Sequence, residues 1–402
     1  MAKKLSIFIS HPSEFLTDHQ PHGDGLMVFE FILRLAQRGH TIHIPGPSAR
    51  TISQIDIQQQ LPENVHFYPA ELWTSFETLN PIEYMIRVRQ IFDHLCRSTN
   101  IDIVHQLNPV NPGLSWSVTN RKIPLVLGVF VPSWPAGSAP LQYKASMLGA
   151  LSSSVVKPFV RWCDRQQQLK AEALLLSTPA ARSRLYNPDN GRANIKILPY
   201  GIDPQKYCPA DQNSSFSTNG ELNILYLARL HQQKGIFTLL EAFDLVVKYV
   251  SSCRLTIAGT GPELPKIKAY IQTRPYQQQI TLTGAVSREQ VPQIMQQCTV
   301  YCLPSYGEPF GMSALEAMAC GKPVVATNAG GLAHLVPDQG GRKVPPGDAI
   351  ALAKALIEIL ASPELQHSMG QHNRALVESQ YSWERIIDRL EEIYYRAIAN
   401  HN

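Results

Sequence analysis

No stretch of this chain approaches the roughly 18 apolar residues that a membrane-spanning helix requires. Any meeting with a membrane is therefore expected to be peripheral. The apolar run in the opening MAKKLSIFISHPSEF is too short for a secretory h-region. Paired cysteines are missing as well. The seven cysteines, at 96, 163, 208, 253, 298, 302 and 320, include no C-x-x-C and are odd in number. They read as reduced, mostly buried small hydrophobes of a cytosolic protein, and Cys298 and Cys302 are given no metal role. A strong charge is lacking too: the formal net charge is +4, too mild for a dedicated nucleic-acid binder. The first half is the more basic, with 19 Lys and Arg against 14 Asp and Glu in residues 1–200, and 17 against 18 in residues 201–402. Where such a bias has meaning, it favours a phosphorylated acceptor or an anionic membrane surface.

What is present is an ordinary globular mix, 44% hydrophobic and 17% charged, in 402 residues, a length that suggests two or three domains. Short β-branched runs alternate with longer amphipathic stretches. LSIFIS (5–10), TIHI (41–44), DIVHQ (102–106), IPLVLGVF (123–130) and ALLLST (173–178) read as buried strands, with helical patterns over 26–39 and 82–96. The second half repeats the scheme. Its strands are at 222–228, 254–259, 279–284, 299–304 and 323–327, and its helices at 237–250, 288–297 and 350–360. Alternation of this kind predicts parallel sheets with right-handed crossovers. The expected fold class is α/β, two Rossmann-like doubly wound domains. Residues 204–221, PQKYCPADQNSSFSTNGE, are polar and aperiodic and read as a linker. The expected domains are therefore 1–203 and 204–381, with a closing amphipathic helix over 382–402.

Ligands of such folds bind beyond the carboxyl ends of the strands. In GEPFGMSALEAMACGKPVVATNAGG (307–331), a strand ends, a loop carries Glu308, and a helix begins near Gly311. The N–H groups of Gly311, Met312 and Ser313 would face an anion at the helix N-terminus, with Glu316 one turn in. Two carboxylates beside a phosphate cradle suit a sugar nucleotide. Helix-dipole pairing by Glu308 and a solvated Glu316 would suit the same spacing taken alone. Arg229 and Lys234 follow the strand 222–228 in RLHQQKG. Arg grips two phosphate oxygens at once and Lys adds a compact charge, as a departing diphosphate needs; a solvated basic loop is the competing reading. The glycines of IAGTGPE (257–263) permit close approach, and TLTGAV (281–286) could offer backbone groups to a base.

The order R-L-x-x-x-K-G, A-G-x-G-P, G-x-V and E-P-F-G-x-x-x-L-E-A-M-A-C-G-x-P-V-V-A resembles the retaining glycosyltransferases of family 4, which have the GT-B fold of two facing domains across a cleft. The match is strong over about 222–336. Weaker likenesses lie in KILPYGID (196–203), GDGLMVFEFILRLAQRGH, DIVHQLNP and SWERIIDRLEEIYY, the last resembling a closing helix that crosses back to the first domain. The resemblance implies that Arg229 and Lys234 hold the diphosphate and that Glu316 binds the ribose. Glu308 would hold the donor sugar, with Phe310, Gly311 and Met312 through their backbone. Val286 would touch the base, and Gly23 would admit the first-domain loop to the donor phosphate. It also implies front-face transfer with retention and no metal or other cofactor; the chain has no Asp-x-Asp. The donor expected is a nucleoside diphosphate sugar, UDP ahead of GDP. The acceptor is a hydroxyl of a sugar, a lipid-linked intermediate or a small metabolite. The location implied is cytoplasmic, with the inner face of a membrane left open.

Two features depart from the family pattern. Phe130 stands where many members carry a histidine, with His11, His22 or His105 as substitutes to be weighed. His22-Gly23-Asp24-Gly25 replaces an adjacent glycine pair. These departures keep two other readings in view, a nucleotide-binding non-catalytic partner subunit and a sugar-nucleotide epimerase or hydrolase on the same fold. Lys157, Arg161 and Arg165 recur every four residues beside Phe159 and Trp162, which suits a membrane-surface helix or a solvated face. Trp116 and Trp134 suit either sugar stacking or a core.

Overall fold

A computed structural model describes residues 3–10, 23–46, 61–70, 80–109, 113–119, 122–132, 147–187, 194–210 and 221–401. Contacts divide the chain into two compact units, one of Met1–Val131, Leu141–Pro199 and Ile386–Asn402, the other of Pro132–Pro140 and Tyr200–Arg385.

The first unit runs β1 (Ser6–Ile9), α1 (Gly23–Gln37), β2 (Thr41–Gly46), β3 (Val65–Pro69), α2 (Asn80–Ser98), β4 (Ile103–Gln106), β5 (Leu125–Phe130), α3 (Met147–Lys170), β6 (Ala173–Leu176) and β7 (Ile195–Ile197). Its seven strands form one parallel sheet in the order β3-β2-β1-β4-β5-β6-β7. The central strands are apolar on both faces, as helix-covered parallel strands must be: every residue of β4, β5 and β6 is buried. Phe8 of β1 meets Phe92 of α2 edge-on at 4.9 Å, at the heart of this core.

The second unit runs β8 (Asn223–Leu227), α4 (Ile236–Tyr249), β9 (Arg254–Ala258), α5 (Leu264–Gln272), β10 (Ile280–Gly284), α6 (Val291–Gln296), β11 (Val300–Leu303), α7 (Met312–Ala319), β12 (Val324–Thr327), α8 (Leu332–Leu335), β13 (Gly341–Val344), α9 (Ala349–Leu360) and α10 (Pro363–Leu376). Six parallel strands lie in the order β10-β9-β8-β11-β12-β13. The order reverses between β8 and β11, the switch point where such sheets bind ligands. Helix α4 forms because Ile236, Leu239, Leu240, Phe243 and Val246 repeat at helical spacing, and all five are buried. At roughly 1.5–3 kcal/mol per large side chain buried, that stripe fixes the helix on the sheet and with it the loop that precedes it.

The last helix, α11 (Trp383–His401), belongs to the first unit from Ile386 onward. Ile386, Ile387, Leu390, Tyr394 and Ala397 are buried. Arg38 pairs with Asp388 at 2.7 Å, and buried His40 bonds Glu391 at 2.7 Å. His40 Nδ1 accepts the Leu5 N–H at 3.0 Å, so Nε2 carries the proton offered to Glu391.

The strands β3, β7 and β13 and the helices α5 and α10 are not anticipated from periodicity. The stretch read as a linker is corrected in its described part: Tyr207 is only 6% exposed, and Arg374 donates to the carbonyls of Tyr207 and Pro204 at 2.7 and 2.9 Å. Residues 211–220 lie outside the described residues. Among the described residues, no helix is long and apolar enough to cross a membrane.

Candidate functional site

The loops that leave β8, β11 and β12 are tied to one another. Lys234 ends a 3-10 turn, Gln232–Lys234, that starts on His231, whose ring accepts the Gln233 N–H. The Gln233 carbonyl accepts Tyr306 N–H at 2.9 Å and Ser305 Oγ at 3.1 Å, joining the β8 loop to the β11 loop. Thr327, at the end of β12, donates its hydroxyl to the Ser305 carbonyl, and Gly331 N–H donates to the Glu308 carbonyl at 2.7 Å. Positions far apart in sequence therefore sit on one braced set of strand ends.

On that frame Lys234 Nζ pairs with Glu308 Oε2, both side chains largely covered at 19% and 13% exposure. Arg229, on the same loop as Lys234, is exposed. Its guanidinium has no side-chain partner among the described residues. The structure thus brings Lys234 and Glu308 together directly and leaves Arg229 facing solvent from the same strand end.

Helix α7 opens as expected. Gly311 is its N-cap at φ 104°, in the region that L side chains avoid, and a Cβ there would sit 2.6 Å from Leu332 Cδ2. The first intrahelical bond runs from Leu315 N–H to the Gly311 carbonyl at 3.0 Å. The N–H groups of Met312 and Ser313 precede the ladder and give the terminus its positive end. The Ser313 hydroxyl is hydrogen bonded with Tyr301 at 2.7 Å. Phe310 is buried and meets Tyr200 edge-on at 5.1 Å, so its side chain belongs to the core.

Glu316 is half-buried on α7 and accepts the Tyr207 hydroxyl at 3.2 Å. Burial pushes its carboxyl up to about 7, against the pull of Tyr207 and of the nearby Arg288 and Lys206 charges. Burial and the Glu316 charge together hold the Tyr207 hydroxyl in its protonated form. Tyr207, Lys206 and Arg288 are neighbours of Glu316 that the sequence alone does not single out. The signal for Tyr207 is an aromatic next to a lysine and a cysteine in the polar stretch 204–221. Val286 is half-buried on the loop after β10.

Gly23 is the first residue of α1, in the other unit. The glycines of 257–263 approach the chain's own backbone: a Cβ on Gly259 or Gly261 would lie 2.0 or 2.2 Å from the carbonyl oxygens of Ala228 or Leu230. They pack the Arg229 loop rather than leaving room beside it. His105 is no substitute for the histidine absent at Phe130. It is fully buried, and its Nε2 donates to the Gly128 carbonyl at 2.9 Å. Its Nδ1 takes the Tyr394 hydroxyl at 2.5 Å. Burial lowers its pKa to about 3. His11, His22 and Trp134 lie outside the described residues.

Residues 209–376 match the family model described as glycosyl transferases group 1. The chain is 29% identical over 258 residues to an alpha-D-kanosaminyltransferase of Streptomyces kanamyceticus, covering 61% of this chain and 65% of that protein. It spans between about half and two thirds of the length of the first curated relatives it matches. In structure it resembles a sucrose-phosphate synthase from Thermosynechococcus elongatus, with a TM-score of 0.73 at 20% identity over 99% of this chain and 100% of that one. It also resembles Anabaena HepE solved in complex with UDP, with a TM-score of 0.70 at 16% identity over 97% and 99% of the two chains. The two parallel-sheet units are thus close in fold to GT-B glycosyltransferase structures, and the braced strand ends lie within residues 209–376, the part of the chain that matches the glycosyl transferases group 1 model.

Proposed function

We propose that the protein is a retaining glycosyltransferase, family 4 in type, that moves a sugar from a nucleoside diphosphate, UDP ahead of GDP, to a hydroxyl acceptor. Residues 204–381 take the donor and residues 1–203 take the acceptor. The observation that carries the reading is the Lys234–Glu308 pair, braced on the ends of β8 and β11, with Arg229 exposed on the same loop as Lys234. HepE, of like fold, is solved with UDP.

In this reading the diphosphate lies against Arg229 and Lys234, which supply the positive charge that grows useful as the glycosidic bond breaks. The N–H groups at the start of α7 add their dipole. Glu308 orients Lys234 by its ion pair and turns its other oxygen to the donor sugar. Glu316 accepts the ribose hydroxyls in the place where it now accepts Tyr207. The acceptor hydroxyl attacks on the face that the diphosphate leaves, and a departing phosphate oxygen takes its proton, so configuration is kept. Positive side chains fill the part that a metal ion plays elsewhere.

A thermal-shift screen over UDP- and GDP-sugars, followed by product analysis of the stabilising donor with an acceptor panel, tests it. Stabilisation by a UDP-sugar and an axial product from an axial donor are expected. Arg229→Ala and Lys234→Ala should each cost on the order of 10²-fold in rate. Unchanged turnover in both folded variants contradicts the reading. Stabilisation by UDP without any transfer favours a non-catalytic partner, and a new sugar nucleotide formed from donor alone favours an epimerase.

A further inference from the structure

The outer face of α3 presents aromatic side chains to solvent where an ordinary helix would present polar ones. Trp162 is 46% exposed, Phe159 36% and Leu169 42%. The two rings stack at 6.1 Å and 22°, and Trp116 closes the cluster edge-on to Trp162 at 5.2 Å. The side that holds the helix to its unit is different: Cys163, Gln167 and Gln168 are buried. Contiguous exposed aromatic surface of this kind marks a surface that meets something apolar.

The charges beside it say what. Lys157, Arg161, Arg165 and Lys170 are exposed on the same helix. Lys157, Arg161 and Lys170 have no ion-pair partner among the described residues, and Arg165 lies over the Tyr186 ring at 4.3 Å. The one acid between 157 and 170 is Asp164, and it is turned to the Gln167 and Gln168 amides at 3.1 and 3.0 Å. The outward face of α3 is therefore cationic and aromatic together, with no acid turned outward among the described residues of the helix. A protein partner of mixed charge would leave most of these cations unmatched. A plane of lipid phosphates over an apolar layer matches both features at once.

We propose that this face of α3 docks the protein on an anionic phospholipid surface, with Phe159, Trp162 and Trp116 at the headgroup–acyl boundary and the four cations on lipid phosphates. The docking is peripheral, and its residues belong to the first unit, whereas Arg229, Lys234 and Glu308 belong to the second.

Flotation of the full chain with vesicles tests it. The protein should float with phosphatidylcholine vesicles containing phosphatidylglycerol and stay behind with phosphatidylcholine alone, and added salt should release it. Phe159→Ala/Trp162→Ala should weaken anionic-vesicle binding by at least ~10-fold. Lys157→Gln/Arg161→Gln should bind more weakly at low salt and lose much of the salt dependence. Both pairs are exposed, so melting curves should match the unaltered protein. UDP affinity should be unchanged. Failure to float with anionic vesicles at low salt overturns the proposal, as does binding by both double variants equal to that of the unaltered protein. Self-association of the free chain that Phe159→Ala/Trp162→Ala abolishes also overturns it, because the face would then be a contact between copies.

Discussion

Glu316 is poised at neutral pH because burial opposes its charge while three neighbours favour it. Its carboxyl is raised from 4.5 to about 7. An unfolded Glu loses its proton near 4.5, so the fold holds that proton more tightly between the two values. The stability it contributes is fully present below about 4.5 and is lost as pH rises to about 7. In the proposed function nucleotide binding runs the other way, because ribose hydroxyls would donate to the ionised form. UDP affinity should therefore rise from about pH 6 to about pH 8, with proton release. Calorimetry in buffers of different ionisation heat reads that proton. Glu316→Gln should flatten both the affinity profile and the proton release. The Tyr207 hydroxyl now favours the ionised form, so Tyr207→Phe should move the profile to higher pH. A profile that Tyr207→Phe leaves unmoved would separate Tyr207 from the site.

At the scale of elements, the proposed donor site hangs on short loops held by close backbone contacts. Gly235 follows Lys234 at φ 70°, and a Cβ there would fall 1.8 Å from the Pro304 carbonyl oxygen, at the end of the β11 strand. Nothing in that contact is a side chain that can turn aside. Gly235→Ala should cost at least ~1–3 kcal/mol in urea unfolding and weaken UDP binding, because the displaced turn carries Lys234 away from Glu308. Wild-type UDP affinity in a folded Gly235→Ala protein would show that the turn does not place Lys234.

The same elements show what the sequence made legible. VYCL and VVAT read as strands because both faces are buried and apolar. GRKV does not, because its middle residues are cationic and half-buried, with Arg342 paired to Glu358 at 2.6 Å and Lys343 to Asp338 at 3.0 Å. VHFYP is likewise an edge strand with His66 exposed. Arg229, Lys234 and Glu308 were legible as charged residues just past strand ends. Tyr207 was not, because its polar surroundings hide the contact with Glu316. The glycines of 257–263 pointed to close approach, which the chain's own backbone shows at Ala228 and Leu230.

At the scale of the whole molecule, the C-terminal helix is part of the first unit's core. Its Tyr394 hydroxyl satisfies the buried Nδ1 of His105, whose Nε2 proton is already committed to Gly128. Tyr394→Phe leaves that nitrogen without a donor and should cost ~1–3 kcal/mol in urea unfolding. His105 is neutral in the fold because burial lowers its pKa to about 3. The stability tied to the neutral ring is present above the unfolded value of about 6.5 and is lost as pH falls toward about 3. A Tyr394→Phe protein as stable as the original would show that the helix is held by its apolar face and ion pairs alone.

The central claim is that cationic side chains on the second sheet's strand ends hold a nucleoside diphosphate. Calorimetric titration of the full chain with UDP, with and without a chelator, and of folded Arg229→Ala and Lys234→Ala, tests it most directly. The account predicts binding that the chelator does not change, and a loss of at least ~10-fold, about 1.4 kcal/mol, in each variant. Binding of UDP with undiminished affinity in both variants, or binding that requires an added metal ion, would contradict it.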